Sequence, residues 1–348
     1  MELAAPATVV GLANAKSLVG SFTSYCARDA AGDDWCWGGF AGNDPAHRLT
    51  TSGFAARFTG LPNVSALSIM GSFACGVGQD GIAVCRGLDF GVFGAQGVSR
   101  GCVSGPCALP EAGTAITALI PVSTPEVFGR WCALSATGTL RCWGDNGGHV
   151  ADFGLGTGAT GKGEWPPRDA PASLGPVASA CSGRDFGCAL TAAGQVWCWG
   201  DHRNWTPRIR VGAAILPPTK LAGMPTVTQI SCAKAQACAL TVAGQVWCWG
   251  RLGPGRTPPA MTPHPIANLP AAKVIRVYAT SSAVTARAIA NDGTVWCWGS
   301  GKYGETGLGT SIPWTSAPTA VPKVAGAIDL AFGDTNACAL LADGHVKC

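Results

Sequence analysis

The sequence predicts an all-β fold, a seven-bladed β-propeller with four short antiparallel strands per blade. Three observations predict it. A C-x9-C pattern recurs along the chain with a period of about fifty residues. A glycine stands six residues after the first position of every copy. The segments ahead of the copies share one layout: a Pro-led stretch, a turn, and an alternating apolar run that enters the next copy.

The cysteine pairs are Cys26/Cys36, Cys75/Cys85, Cys132/Cys142, Cys188/Cys198, Cys238/Cys248 and Cys338/Cys348. A seventh copy, RAIANDGTVWCWG, keeps Cys297 but has Arg287 at its first position. The second positions are spaced by 49, 57, 56, 50, 49 and 51 residues. Hairpin units are therefore expected near 22–38, 71–87, 128–144, 184–200, 234–250, 283–299 and 334–348, within one propeller domain of residues 1–348.

Two copies show the hairpin grammar most clearly, CALTAAGQVWCWG from Cys188 and CALTVAGQVWCWG from Cys238. Pairing residue 188 with 198 leaves Ala192, Ala193 and Gly194 as a three-residue loop. Such loops commonly end in a left-handed residue, which glycine adopts without a Cβ penalty. Gly32, Gly81, Gly138, Gly194, Gly244, Gly293 and Gly344 all hold this place. The paired cysteines then face each other at a Cα separation of roughly 4.5–5.5 Å, within disulfide reach. A zinc site would need four converging ligands, usually in C-x2-C pairs, and no C-x2-C occurs. No metal or cofactor is expected.

The remaining elements follow in chain order. PATVVGLANAK, at the start, matches the Pro-led strand that should follow a hairpin, while the last copy stops at Cys348 after its third strand. The N-terminal strand is thus expected to complete the last blade, covering two sheet edges. Cys102 and Cys107 bracket VSGP in the insert between copies two and three and predict a local disulfide. Cys181 and Cys232 stand just before copies four and five. They either bridge neighbouring repeats or remain as buried free thiols, and Cys297 is left odd. The V-W-C-W-G runs are apolar on both strand faces, as expected where both faces are covered by neighbouring blades. Trp197, Trp199, Trp247, Trp249, Trp296 and Trp298 are therefore core residues.

The chain is 47% hydrophobic and 13% charged, with 49 Gly and 24 Pro among 348 residues, a turn-rich globular composition. Its net charge of +4 is unclustered and indicates no nucleic-acid or membrane-surface partner. No run of 18 apolar residues predicts a membrane-inserted helix. MELAAPATVVGLANAK lacks the layout of a signal peptide. Six matched cysteine pairs nonetheless point to an oxidising compartment, so the expected location is secreted, periplasmic or cell-surface, with a signal removed. Catalytic patterns are missing. His47, His149, His202, His264 and His345 fall in different units, and none sits in HExxH. GLGTGATGKG at 154–163 lacks Ser or Thr after GK. There is no G-x-S-x-G, and the chain is not expected to be an enzyme.

CALTAAGQVWCWG, the stretch ANDGTVWCWGSGKYGETGLGTSIPWTSAPTAV and the Pro-led strands together resemble the regulator of chromosome condensation repeat. The resemblance covers nearly the whole chain and implies a seven-bladed propeller. Members include a nucleotide exchange factor for a small GTPase that docks on chromatin, and secreted bacterial inhibitors of β-lactamases. They share protein binding by loops on one propeller face. The hairpin cysteines and the lack of basic tails bring this chain closest in character to the secreted members. Many family repeats carry His two residues before the hairpin's first position; here Ser24, Phe73, Arg130, Phe186, Gln236, Thr285 and Asn336 stand there.

A constant scaffold with a varied rim is what a binding surface requires. Phe22, Phe73, Trp131 and Phe186 are the expected anchors, with Arg130, Arg184, Lys234, Gln236, Asn336 and Asp334 supplying polarity. The expected partner is an extracellular or periplasmic protein. The alternative is a glycan, but a lectin should repeat its aromatic and polar residues from blade to blade, and this rim does not repeat.

Overall fold

Each repeat folds as an antiparallel hairpin in the expected register. In the fourth, Cys188 lies opposite Cys198, Ala189 opposite Trp197 and Leu190 opposite Val196. The turn closes through Thr191 N–H to the Gln195 carbonyl at 2.9 Å and Gly194 N–H to the Thr191 carbonyl at 2.9 Å. Gly194 has φ 74°. The other six turn glycines also have positive φ.

A computed structural model of the chain describes residues 6–21, 24–38, 55–61, 63–70, 73–87, 106–109, 112–124, 127–145, 164–183, 186–201, 215–251, 260–279, 284–302, 304–309, 312–333 and 336–348. Among them seven sheets form. Blade one holds β1 (Ala15–Ser21), β2 (Ser24–Asp29), β3 (Asp34–Gly38) and β4 (Ala56–Phe58). Blade two holds β5 (Leu67–Met70), β6 (Phe73–Val77), β7 (Ala83–Gly87) and β8 (Cys107–Leu109). Blade three holds β9 (Ile116–Thr124), β10 (Val127–Ser135), β11 (Leu140–Asp145) and β12 (Glu164–Asp169). Blade four holds β13 (Val177–Ser182), β14 (Phe186–Thr191), β15 (Val196–Asp201) and β16 (Ile215–Lys220). Blade five holds β17 (Val227–Ala233), β18 (Gln236–Thr241), β19 (Val246–Gly250) and β20 (Ala260–Pro265). Blade six holds β21 (Ala272–Ala279), β22 (Val284–Ala290), β23 (Val295–Gly301) and β24 (Ile312–Ala320). Blade seven holds β25 (Ala327–Phe332), β26 (Ala337–Leu341) and β27 (Val346–Lys347).

The first strands contact one another in a closed circuit, from β1 through β5, β9, β13, β17, β21 and β25 back to β1. They form the inner ring, and the fourth strands lie outside. The outer strands carry the prolines of EWPPRD, ILPPTK and AMTPHP. An edge strand tolerates proline because the missing N–H faces no partner.

A sheet with two apolar faces must bury both, and the seven seams between blades do this. In each seam the cysteine-bearing face of one blade meets the opposite face of the next. Cys132, Leu134, Leu140 and Cys142 of blade three pack with Val177, Ala189 and Trp199 of blade four. Phe186, Cys188, Leu190 and Cys198 of blade four pack with Ile230, Ala237 and Trp249 of blade five. The turns also latch adjacent blades. The carbonyls of Gly138, Gly194, Gly244, Gly293 and Gly344 each accept a bond from the first residue of the next inner strand, at 2.8–3.0 Å.

The ring closes as expected. Ala7 N–H donates to the Cys348 carbonyl at 2.8 Å, Cys348 N–H to Ala7 at 2.9 Å, and Val9 N–H to Val346 at 2.8 Å. Residues 7–9 thus take the fourth-strand place of blade seven.

Disulfides join Cys26–Cys36, Cys75–Cys85, Cys132–Cys142, Cys188–Cys198, Cys238–Cys248 and Cys338–Cys348, with Cα separations of 4.0–4.1 Å. That is the closer, non-hydrogen-bonded kind of cross-strand pair. Cys181–Cys232 joins the inner strands of blades four and five at a Cα separation of 5.4 Å. Cys107 is disulfide-bonded; Cys102, its expected partner, lies outside the described residues. Seven described intrachain disulfides suit an oxidising environment.

Candidate functional site

Strand alternation sorts the connections between two faces of the ring. Connections from first to second and from third to fourth strands leave one face. The tight glycine turns and the fourth-to-first connections lie on the other. The third strands β3, β7, β11, β15, β19 and β23 therefore all end, and the fourth strands β4, β8, β12, β16, β20 and β24 all begin, on the first, loop-bearing face.

The candidate rim divides sharply. Lys234 lies in the turn from β17 to β18, half-buried, and Asn336 is exposed just ahead of β26. Phe73 opens β6, and Arg130 lies within β10 opposite Gly144. Phe22, Arg184 and Asp334 lie outside the described residues.

Trp131, Phe186 and Gln236 correct the sequence expectation, because all three are buried in the fold. The reason is strand parity. Phe186 and Gln236 pair with Gly200 and Gly250, so they belong to the sheet and not to a rim above it. Each stands two residues before a staple cysteine, and side chains two apart share a face. They therefore point into the same seam as the cysteine. Ser24 and Thr285 follow the same rule and are also buried. Trp131 faces the opposite way, against Met70, Cys75 and Leu109 of blade two. Ser24, Phe186, Gln236 and Thr285 of the varied ring are thus seam fillers, and Asn336 is exposed.

Blade six holds a polar group that the rim reading did not single out. Arg287 lies opposite Cys297, where six other hairpins carry a disulfide. It is 6% exposed, and its Nε has no hydrogen-bond partner among the described residues. Its Cζ sits 5.0 Å from the centre of the Phe332 ring, which in turn stacks on Tyr278 at 5.7 Å. Burial pulls the guanidinium below its ordinary value; Cys297, Tyr25 and Glu305 oppose this. Burial likewise pushes the Cys297 thiol up to about 11, with Arg287 opposing. Across the next seam the Tyr25 hydroxyl donates to Asn336 Oδ1 at 2.6 Å, and burial raises its ionisation well above the ordinary range. The sequence signal for this cluster was Arg287 itself, the one charged residue in the column of hairpin first positions.

Two segments match models of the regulator of chromosome condensation (RCC1) repeat, residues 177–204 and residues 292–340. The fold is an RCC1-type seven-bladed propeller. The chain is similar to yeast RCC1 (Prp20) as bound to Kap60, with a TM-score of 0.72 and 19% identity over 96% of this chain and 79% of that one. It is similar to human WBSCR16, with a TM-score of 0.72 and 16% identity over 96% and 85% of the two chains. It also resembles the ectodomain of the Arabidopsis thaliana receptor kinase ACR4, with a TM-score of 0.52 and 16% identity over 97% and 98%. At these identities the likeness is one of fold. No curated protein matches the sequence. Among the described residues no helix is long and apolar enough to cross a membrane. None of their His, Cys, Asp and Glu side chains form a group that could hold a metal.

Proposed function

We propose that this RCC1-type propeller is a secreted or cell-surface binding module, not a catalyst, that holds another protein on its loop-bearing face. One observation carries the reading. Staples and latches make a rigid ring, and the third strands all end, and the fourth strands all begin, on one side of it. A rigid scaffold presenting loops in one plane can bind a partner at small ordering cost. The number of described disulfides favours an oxidising compartment. Proteins of the same fold bind other proteins: Prp20 is seen with Kap60, and its binding to Gsp1p and histones has been examined.

The test begins with capture by the immobilised full chain from the extracellular fluid in which it occurs. Affinities for the captured protein are then compared between two charge variants. Lys234→Glu with Lys302→Glu alters the loop-bearing face and should weaken binding about tenfold or more. Val242→Glu alters an exposed turn on the opposite face and should leave affinity unchanged. The reverse pattern, or binding on a glycan array with no protein partner, would contradict the proposal.

A further inference from the structure

One tie between blades can be undone by chemistry. Cys181 and Cys232 form the bridge between the inner strands of blades four and five, across the seam filled by Phe186, Leu190, Ile230 and Trp249. Each lies one residue before the end of its strand, β13 or β17. The bridge therefore sits at the inner edge of the ring, where the loop-bearing face begins. Both of its cysteines are half-buried. Eleven of the twelve staple cysteines are buried, at 0–5% exposed. Thiol–disulfide exchange needs access to a sulfur, so most staples are shielded where the inter-blade bridge can be reached.

Other seams manage without a covalent bond at this place. Cys181 stands opposite Cys188, the first position of its hairpin. Ser68, Ser231 and Arg276 hold the same register place in blades two, five and six. Each reaches the next blade through a polar tie. Ser68 Oγ donates to the Leu119 carbonyl at 2.8 Å, and Val277 N–H donates to Ser231 Oγ at 2.9 Å. The Arg276 guanidinium donates to Asp329 Oδ1 at 2.9 Å. The seam between blades four and five has its own packing besides the bridge. Without the bridge it keeps its apolar cluster and the latch from Val227 N–H to the Gly194 carbonyl at 3.0 Å. Breaking the bridge is thus a local event, not the loss of the ring.

We propose that Cys181–Cys232 is a redox clasp, opened by a dithiol reductant while the buried staples stay oxidised, and that opening it loosens the inner edge of the loop-bearing face between blades four and five. A reductant thiolate attacks the sulfur of one cysteine and forms a mixed disulfide. The Cys181–Cys232 bond breaks, and the other cysteine leaves as a thiolate that takes up a proton. The reductant's second thiolate attacks the mixed disulfide. The first cysteine is released and protonated, and the reductant leaves as a disulfide. Two electrons pass from the reductant's thiols to the bridge. The turns that follow β13 and β17 then lose the covalent tie between them. The clasp lies on the face proposed for binding, but its opening needs no partner and is measured without one.

The test treats the full, oxidised chain with dithiothreitol under native conditions, traps free thiols by alkylation and maps them by mass spectrometry. Cys181 and Cys232 should become alkylated together, at least tenfold faster than the five staples buried at both ends. Cys297, buried and unbridged, reports unfolding and should stay unalkylated while the clasp opens. Amide exchange on the opened chain should be at least tenfold faster in residues 177–182 and 227–233 and unchanged in β1 of blade one. Oxidised glutathione should restore both the bridge and the slow exchange. The double variant Cys181→Ser, Cys232→Ser should exchange like the opened wild type and be indifferent to the same dose of dithiothreitol. The wild-type measurements need no variant, so a folding defect in the double variant does not rescue the idea. Reduction of the buried staples in parallel, opening only together with Cys297 alkylation, or unchanged exchange in an opened chain would overturn the clasp.

Discussion

Phe186 shows how one residue's role turns on parity. Its chemistry suits a binding hot spot, but its place two residues before Cys188 sends it into the seam between blades four and five. Phe186→Ala should therefore destabilise the fold by about 3–5 kcal/mol, measured by chemical unfolding. Val242→Ala, at a 68% exposed turn position, should change stability by no more than about 0.5 kcal/mol. The tryptophans of W-C-W were legible in the sequence because a strand apolar on both sides must be covered on both sides. The seam direction of the varied ring was equally implicit in its two-residue offset, but the turn before it suggested an exposed rim. Cys297 gives a pH prediction. Burial raises its thiol from 9.0 to about 11, so its protonated form is favoured more in the folded chain than in the unfolded one. That contribution is complete below pH 9 and is lost as pH rises towards 11. The fall in melting temperature between pH 9 and 11 should be steeper in the wild type than in Cys297→Ala. Equal slopes would show that the thiol's environment is not as described.

The hairpin turn is the element that repeats best, and its glycine meets two demands at most seams. Gly32 has φ 88° with open space around its missing Cβ. Gly344 has φ 83°, and a Cβ there would lie 2.6 Å from Asn14 Cα, because its carbonyl latches blade seven to blade one. Gly32→Ala should cost about 1–2 kcal/mol, from left-handed backbone strain alone. Gly344→Ala should cost more by about 1–3 kcal/mol, since the backbones must also separate. Equal losses in a denaturant titration would mean that the latch contributes little. The sequence showed the first demand through the fixed offset of the glycines. It did not show the second, which depends on how the neighbouring blade docks. The inter-blade disulfide was half legible in the same way. The matched positions of Cys181 and Cys232 suggested a bridge but left free thiols open until the inner strands were placed side by side. Closing a loop with a sequence separation of 51, this bridge should contribute about 4 kcal/mol, against about 3 kcal/mol for a hairpin staple.

At the scale of the molecule, closure depends on residues far apart in sequence. Deleting residues 1–12 removes the strand that pairs with residues 346–348 and the buried Val9 and Leu12. The melting temperature should fall by several degrees, as a loss of a few kcal/mol implies. An unchanged melt would mean that these contacts do not hold the ring. The blade count, the strand count and the joining of the termini were all readable from the repeat period and the two ends. The stacking of Arg287 on Phe332 was not, because the two meet only when blades six and seven are stacked. The central claim is a ring of blades locked by oxidised hairpins and displaying one loop-bearing face. Disulfide mapping by mass spectrometry of unreduced protein, alkylated under native conditions, tests it most directly. Linked peptides are predicted for Cys26–Cys36, Cys75–Cys85, Cys132–Cys142, Cys188–Cys198, Cys238–Cys248, Cys338–Cys348 and Cys181–Cys232, with Cys297 alkylated only after unfolding. Alkylation of most of the twelve hairpin cysteines in the native chain, or pairing across different hairpins, would contradict it.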